Sequence, residues 1–352
     1  MTRILAAGDL FIRAAHLRRS LEQALDGRAV EIRELEFPWP DAPFGRVAEV
    51  DEASGTEDQL IEALQGVTAI ATQLAPLTER VLAESPDLRL IAVSRGGPTN
   101  VNLEAARAHG VMVANVPGRN GVSTAEMTVG LSLALLRRIP LSHNTLLSHE
   151  WRGEFYRYGE VGGEIAGSTI GLLGAGAVGA HVARVFAAMG ADVVVFDPYL
   201  PAGVLDGVVR RVDTVEEVFR AADLVSVHAR LTPETEHLVD AERLAMMRPG
   251  SRLVNAARGG LVDYDAVADA IESGHLAGAA FDVYPEEPVD FGHRIFALAA
   301  AGHDIVLTPH IAGASRETTD RAADGVAEEI RRYLAGEPLL HPLVEFAQGA
   351  AR

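Results

Sequence analysis

The stretch Thr169–Ala183, TIGLLGAGAVGAHVA, decides the fold. An apolar strand, TIGLL, runs directly into Gly174-Ala175-Gly176-Ala177-Val178-Gly179 and then into a helical stretch ending at Met189. A GxGxxG pattern alone carries little weight in a chain with 34 glycines. The strand before it and the helix after it give it a physical meaning. Gly174 permits the tight turn, Gly176 lets backbone approach a pyrophosphate, and Gly179 allows close helix–strand packing. Free backbone amides at the helix start then face the phosphates. Eighteen residues beyond Gly179 the next strand, VVVF, ends in Asp197, followed by Pro198 and Tyr199 rather than by Arg or Lys. A carboxylate there accepts hydrogen bonds from ribose hydroxyls and repels a 2′-phosphate, so the pattern favours NAD over NADP.

Working outward, short β-branched runs alternate with helical stretches along the whole chain, the signature of βαβ units and parallel sheets. Downstream strands are expected at Asp192–Phe196, Leu224–His228, Arg252–Ala256, Gly278–Asp282 and Ile305–Thr308. With Thr169–Leu173 these make the six strands of a Rossmann dinucleotide-binding sheet. Upstream, strands are expected at Arg3–Ala7, Val30–Leu35, Thr68–Thr72, Leu88–Val93 and Val111–Val116, with helices around Ala15–Leu25 and Thr56–Leu64. Ser123-x-x-Glu126 reads as a capping box ahead of an apolar helix, Met127–Leu136, that stops at Arg137-Arg138 before Pro140. A final helix spans about Thr318–Leu334, stopped by Gly336 and Pro338, and Phe346–Arg352 is expected to fray.

At 352 residues the chain is long enough for about two domains. Its 31 basic against 49 acidic side chains give a net charge of −18, which disfavours nucleic acid and anionic membrane surfaces as partners. Cysteine is absent, excluding disulfides, thiolate metal sites and cysteine nucleophiles. The start shows no secretory signal and no apolar run is long enough to span a bilayer, so the cytoplasm is the expected location.

Three chemistry-bearing residues follow successive strands of the nucleotide fold: Arg258 in NAARGGLVD, Glu287 in FDVYPEEP and His310 in VLTPHIAG. Singly, each reads equally well as a surface ion pair or a loop cap. Together they belong at the carboxyl ends of strands, where α/β sheets bind ligands. Hydride transfer needs a group that handles the alcohol proton and a cation that holds the substrate. His228 ends another strand of the nucleotide fold and is expected to line the cofactor cleft. The other histidines show no metal-ligand spacing, so no metal is expected. Trp151, Phe155, Tyr156 and Tyr158 form an aromatic connector that suits core or dimer packing.

These segments resemble the D-2-hydroxyacid dehydrogenase family, from GLLGAGAVGAHVA and VVVFDPY through VSVHARLTPETEHLV, RPGSRLVNAARGGLVDYDAV and GAAFDVYPEEP to LTPHIAG. The resemblance runs from about Leu88 to Arg332. It implies two doubly wound α/β domains. A flavodoxin-like substrate domain comprises 1–117 and a returning 316–352, with a Rossmann NAD domain, 118–315, inserted between. It also implies roles. Arg258 grips the substrate carboxylate, His310 carries the alcohol proton, and Glu287 holds His310. Asp282 binds the nicotinamide carboxamide, Ala256 lies on the nicotinamide side, and Ala177 and Val178 lie against the pyrophosphate. Glutamate at 287 departs from formate dehydrogenases, which carry glutamine there. The apolar helix after Ser123 packs across a homodimer in this family.

The implied activity is NAD-dependent interconversion of a small 2-hydroxy acid and its 2-keto acid. An NAD-sensing corepressor and a dehydrogenase of an inorganic acid such as phosphite are the alternatives. In the implied substrate loop, Ser94-Arg95-Gly96-Gly97-Pro98-Thr99-Asn100, the amides of Gly96 and Gly97 can cradle a carboxylate. Arg95 replaces the usual first glycine and is expected to offer a further guanidinium to an oxygen-rich substrate, a sugar-derived or dicarboxylic 2-hydroxy acid. Thr72 stands where phosphoglycerate dehydrogenases often carry arginine, and no regulatory domain is expected after Leu334. Both features argue against phosphoglycerate as substrate.

Overall fold

The structure, a computed structural model, describes residues 1–39 and 45–346. The expected fraying after Phe346 therefore concerns 347–352, outside the described residues. Two compact units divide the chain, Met1–Arg119 with Ser315–Arg352, and Asn120–Ala314. These boundaries fall within two residues of those read from the sequence.

In chain order the strands are β1 (Thr2–Gly8), β2 (Val30–Glu36), β3 (Ala69–Thr72), β4 (Leu90–Val93), β5 (Met112–Asn115), β6 (Thr169–Leu173), β7 (Asp192–Phe196), β8 (Arg210–Arg211), β9 (Leu224–Val227), β10 (Ser251–Asn255), β11 (Leu276–Phe281), β12 (Asp304–Leu307) and β13 (Pro342–Val344). The first unit holds a sheet ordered β13-β5-β4-β3-β1-β2. Its five parallel strands follow the flavodoxin-like order 2-1-3-4-5. β3 and β4, AIAT and LIAV, are buried along their whole length because helices cover both faces. Helices Ala14–Ala24 and Arg316–Ala335 form one cover with Leu17, Leu21, Val326 and Ile330. The long C-terminal helix starts where Ser315 accepts the Thr318 amide and stops at Gly336, whose φ of +69° only glycine adopts at little cost. β13 runs antiparallel to β5 and was not expected, since three residues opened by proline carry no strand pattern. Buried Glu329 holds it in place by accepting the Leu340 and His341 amides, both at 2.9 Å.

The second unit holds seven parallel strands ordered β12-β11-β10-β9-β6-β7-β8. Numbered within the unit this is the Rossmann order 3-2-1-4-5-6 with a seventh strand beyond. The seventh strand is β12, at one edge; β8, third in this order and at the other edge, is the strand beyond the six expected, only two arginines long and without apolar periodicity. Both faces are covered by apolar clusters, one around Val225, Leu253 and Phe281, the other around Ile170, Val193 and Val254.

Two expectations for the connecting region are corrected. The helix after β5 spans Gly121–Leu136, so Ser123 lies inside its first turn and is no cap. The Ser123 hydroxyl instead donates to the Ala312 carbonyl at 3.0 Å, a partner far away in sequence. The helix stops at Leu136 with Arg137 as its C-cap, as expected, and Pro140 just beyond sits in the first turn of the next helix, Ile139–Leu147, where its missing N–H costs nothing. Of the two packings expected of the aromatic connector, core is excluded for Trp151, Tyr156 and Tyr158, which are exposed by 86%, 93% and 98%. Phe155 lies between the guanidinium groups of Arg138 and Arg152.

Candidate active site

The glycine turn follows β6 where strand order reverses between β7 and β9. Gly174 has φ +98°, and a Cβ on it would lie 2.9 Å from the His228 carbonyl. A Cβ on Gly179 would collide with the Gly174 carbonyl oxygen, whereas one on Gly176 would meet nothing within 4 Å. Gly174 and Gly179 are therefore glycine for packing, and Gly176 leaves its backbone open to an incoming group. Gly176 precedes the helix Ala177–Ala188, whose first-turn amides, with those of Val178 and Gly179, have no partner within the helix. Asp197, just past β7, accepts the Ala175 amide at 2.7 Å and the Tyr199 amide at 2.9 Å. Each carboxylate oxygen keeps a lone pair for a ribose hydroxyl. His228 lies beside this turn, its Nε2 2.9 Å from Ser226 Oγ, and burial pushes its pKa down to about 4. A neutral imidazole, an open amide cradle and a rim carboxylate fit a dinucleotide without a 2′-phosphate.

β10, β11 and β12 are neighbours, and their carboxyl ends deliver Arg258, Glu287 and His310 to one edge of the sheet. His310 Nδ1 lies 2.5 Å from Glu287 Oε2. The second Glu287 oxygen accepts the Tyr284 amide at 2.9 Å, so the carboxylate is fixed from both sides. The His310 side chain is 31% exposed and that of Glu287 17%, which leaves the imidazole reachable and its partner sheltered. His310 has φ +52°, a left-handed backbone that costs a non-glycine residue about 1–2 kcal/mol.

Asp282 holds that conformation. Its carbonyl accepts the His310 amide at 2.7 Å. Its carboxylate accepts Thr308 Oγ1 at 2.5 Å, the Ile311 amide at 3.0 Å and the Ala312 amide at 2.8 Å. Asp282 is wholly buried, so the expected contact with a nicotinamide carboxamide rests on the resemblance alone. Ala256, likewise buried, belongs to the core cluster beneath the glycine turn.

Arg258 is exposed and makes no ion pair among the described residues; one of its guanidinium nitrogens donates to the Ala257 carbonyl at 2.7 Å. Asn255 shapes its turn by donating to the Arg258 carbonyl at 2.9 Å and accepting the Ala257 amide at 3.0 Å. Asn255, Thr308 and Tyr284 were given no role in the sequence reading. The one visible signal was a polar Asn closing an apolar strand.

In the first unit, the loop after β4 carries Arg95, Gly96 and Gly97. Gly97 has open space where a Cβ would stand, and the Gly96 carbonyl accepts Asn115 Nδ2 at 2.9 Å. Arg95 does not offer the spare guanidinium expected of it. It forms an ion pair with the Glu52 carboxylate and donates to the Glu52 carbonyl at 3.3 Å. The Thr72 hydroxyl accepts the Ala75 amide at 3.1 Å. Among the described residues no three His, Asp or Glu side chains gather as metal ligands, and no helix is long and apolar enough to cross a membrane.

Residues 129–312 match the family described as D-isomer specific 2-hydroxyacid dehydrogenase, NAD binding domain. The D-3-phosphoglycerate dehydrogenase of Mycobacterium bovis is 39% identical over 302 residues, covering 85% of this chain and 56% of that protein. The chain thus spans little more than half the length of that relative. The glycerate dehydrogenase of Methylorubrum extorquens is 32% identical over 309 residues, covering 87% of this chain and 93% of that protein. A solved D-lactate dehydrogenase from Treponema pallidum superposes with a TM-score of 0.80 at 25% identity, covering 98% of this chain and all of that one.

Proposed function

The chain belongs to the D-isomer specific 2-hydroxyacid dehydrogenase family, and on that premise we propose that it interconverts a D-2-hydroxy acid and its 2-keto acid with NAD. The observation that carries this reading is the His310–Glu287 pair, at 2.5 Å, at the same carboxyl edge of the sheet as Arg258, which makes no ion pair among the described residues. Bound at the glycine turn, a nicotinamide dinucleotide supplies the hydride acceptor or donor.

Every other part of the work falls to the chain. Arg258 binds the substrate carboxylate and polarises the carbonyl through a planar fork that suits two oxygens. His310 takes the alcohol proton during oxidation and returns it during reduction. Glu287 keeps the imidazole in one tautomer and orientation and stabilises the imidazolium. Asp197 favours the 2′-hydroxyl cofactor. Gly96 and Gly97 supply neutral amides for the substrate.

A homodimer in the cytoplasm is part of the same reading. Ile139, Leu146, Leu147, Trp151 and Tyr156 are exposed on consecutive segments, more apolar surface than a solvated helix and turn need. The direct test is NADH consumption by the pure protein against a panel of 2-keto acids. Turnover of at least one, with D-hydroxy acid as product, is expected. NADH binding without turnover of any member would overturn the proposal in favour of a sensor.

A further inference from the structure

We infer that the carboxyl edge of the first sheet takes a substrate end that is uncharged and bears a hydroxyl group, with Gln73 recognising the hydroxyl and the Arg95–Glu52 pair turning away a distal phosphate or carboxylate. The inference rests on the dehydrogenase reading and narrows its substrate class. Ligands of open α/β sheets gather at the carboxyl ends of the strands. β3 and β4 are neighbours there, and the residues immediately past them are Gln73 and Ser94. Their backbones run side by side, the Ser94 amide donating to the Thr72 carbonyl at 2.8 Å.

Gln73 Oε1 and Ser94 Oγ are both buried, and neither has a hydrogen-bond partner among the described residues. Buried polar side-chain atoms are seldom left unpaired, so two adjacent orphans mark a place where a polar group arrives. An amide and a hydroxyl can each donate and accept, whichever way the amide is turned. A hydroxyl, which also does both, is their natural complement.

The charges at this edge point the same way. Arg95 is held by Glu52. Glu52 itself is clamped in place, because the Asp51 amide donates to the Thr99 carbonyl at 3.1 Å and the Ser54 amide to the Leu74 carbonyl at 2.9 Å. Arg13 pairs with Glu36; Arg119, over the Phe11 ring, feels the Asp9 carboxylate, while its Nη1 is buried without a hydrogen-bond partner among the described residues. Thr72 is buried and commits its hydroxyl to Ala75. An anionic substrate end would find Arg95 and Arg13 already paired with carboxylates, and would face the Glu52 carboxylate as well. Like-charge juxtaposition of this kind rejects a ligand more effectively than a missing contact does.

The test compares four 2-keto acids that share a head and differ at the distal carbon: pyruvate, hydroxypyruvate, 3-phosphohydroxypyruvate and oxaloacetate. Their kcat/KM values with NADH are measured beside calorimetric affinities of the matching D-hydroxy acids for the NAD-saturated protein. Hydroxypyruvate and D-glycerate should lead each of the others by about tenfold or more. Gln73→Leu should lower the hydroxypyruvate-to-pyruvate ratio about 5–10-fold. Glu52→Gln should narrow the gap between hydroxypyruvate and its phosphate ester about tenfold. A wild-type preference for the phosphate ester or the dicarboxylate overturns the inference and leaves the dehydrogenase reading intact, as does an equal loss on all four acids in Gln73→Leu. Affinities in the expected order with no turnover of any keto acid would sink the dehydrogenase reading and uphold the inference.

Discussion

Replacing Asp282 by asparagine separates two jobs that one carboxylate could do. In the structure the side chain accepts three hydrogen bonds, all from residues 308–312. Asparagine keeps an oxygen for Thr308 Oγ1 and the Ile311 amide but turns an NH2 toward the Ala312 amide, two donors facing each other. Losing a bond to a charged acceptor costs about 1.5–3 kcal/mol, and an unpaired buried amide about 1–3 kcal/mol. The two overlap, so about 3 kcal/mol is the working figure for the turn. That exceeds the 1–2 kcal/mol or so needed to hold His310 at a left-handed φ, so the turn should relax and carry the imidazole away from Glu287. If each turnover must rebuild the turn, kcat falls about 100-fold, since about 1.4 kcal/mol is a factor of ten. The assay measures kcat at saturating substrate, thermal stability, and NADH affinity by fluorescence quenching. Lower kcat and lower stability are expected, with NADH affinity changed by no more than about threefold. An NADH affinity weakened tenfold with kcat preserved would refute the reasoning and put Asp282 on the cofactor.

Wild-type enzyme should prefer NADH to NADPH by about tenfold or more in kcat/KM, and Asp197→Ala should bring the ratio to within about threefold. A preference for NADPH in the wild type would remove Asp197 from the ribose site. His228 makes stability depend on pH with a defined sign. Its folded pKa of about 4 lies below its unfolded value, so the unfolded chain takes up the proton first as pH falls. Stability should drop by about 3 kcal/mol between about pH 6.5 and 4 and not above, from about 1.4 kcal/mol per pKa unit. His228→Gln should flatten that segment of the denaturation-midpoint curve relative to wild type; identical curves would show that the imidazole is solvated. Leu146→Glu with Leu147→Glu should convert a dimer to a monomer in sedimentation, with far-UV circular dichroism unchanged. A wild-type monomer would contradict the homodimer.

What could be read from the sequence was what is local or repeated. The glycine turn, the acid at the end of the next strand and the alternation of strand and helix each occupy a few consecutive residues. The fold order follows from them. The residues Arg258, Glu287 and His310 were readable because each stands just past an apolar strand, and the resemblance supplied their roles. Interactions between distant residues were not readable. Glu52 and Arg95 meet across a separation of 43 residues, and nothing in SRGGPTN indicates that its arginine is already paired. Ser123 matches a capping box in every letter, yet its hydroxyl finds Ala312, 189 residues away. The bonds of Asp282 to Thr308, Ile311 and Ala312 were not readable either, because that turn lies past a different strand. β13 has three residues and owes its place to Glu329 rather than to its own pattern.

The central claim is that His310, held by Glu287, carries the proton of a hydride-transfer reaction. The most direct test is kcat of His310→Ala on the best 2-keto acid found for the wild type, measured at saturating NADH. General acid–base catalysis of this kind contributes about 10²–10⁴-fold, and kcat should fall by that amount while NADH affinity stays within about threefold. A His310→Ala enzyme that turns over as fast as wild type would contradict the account.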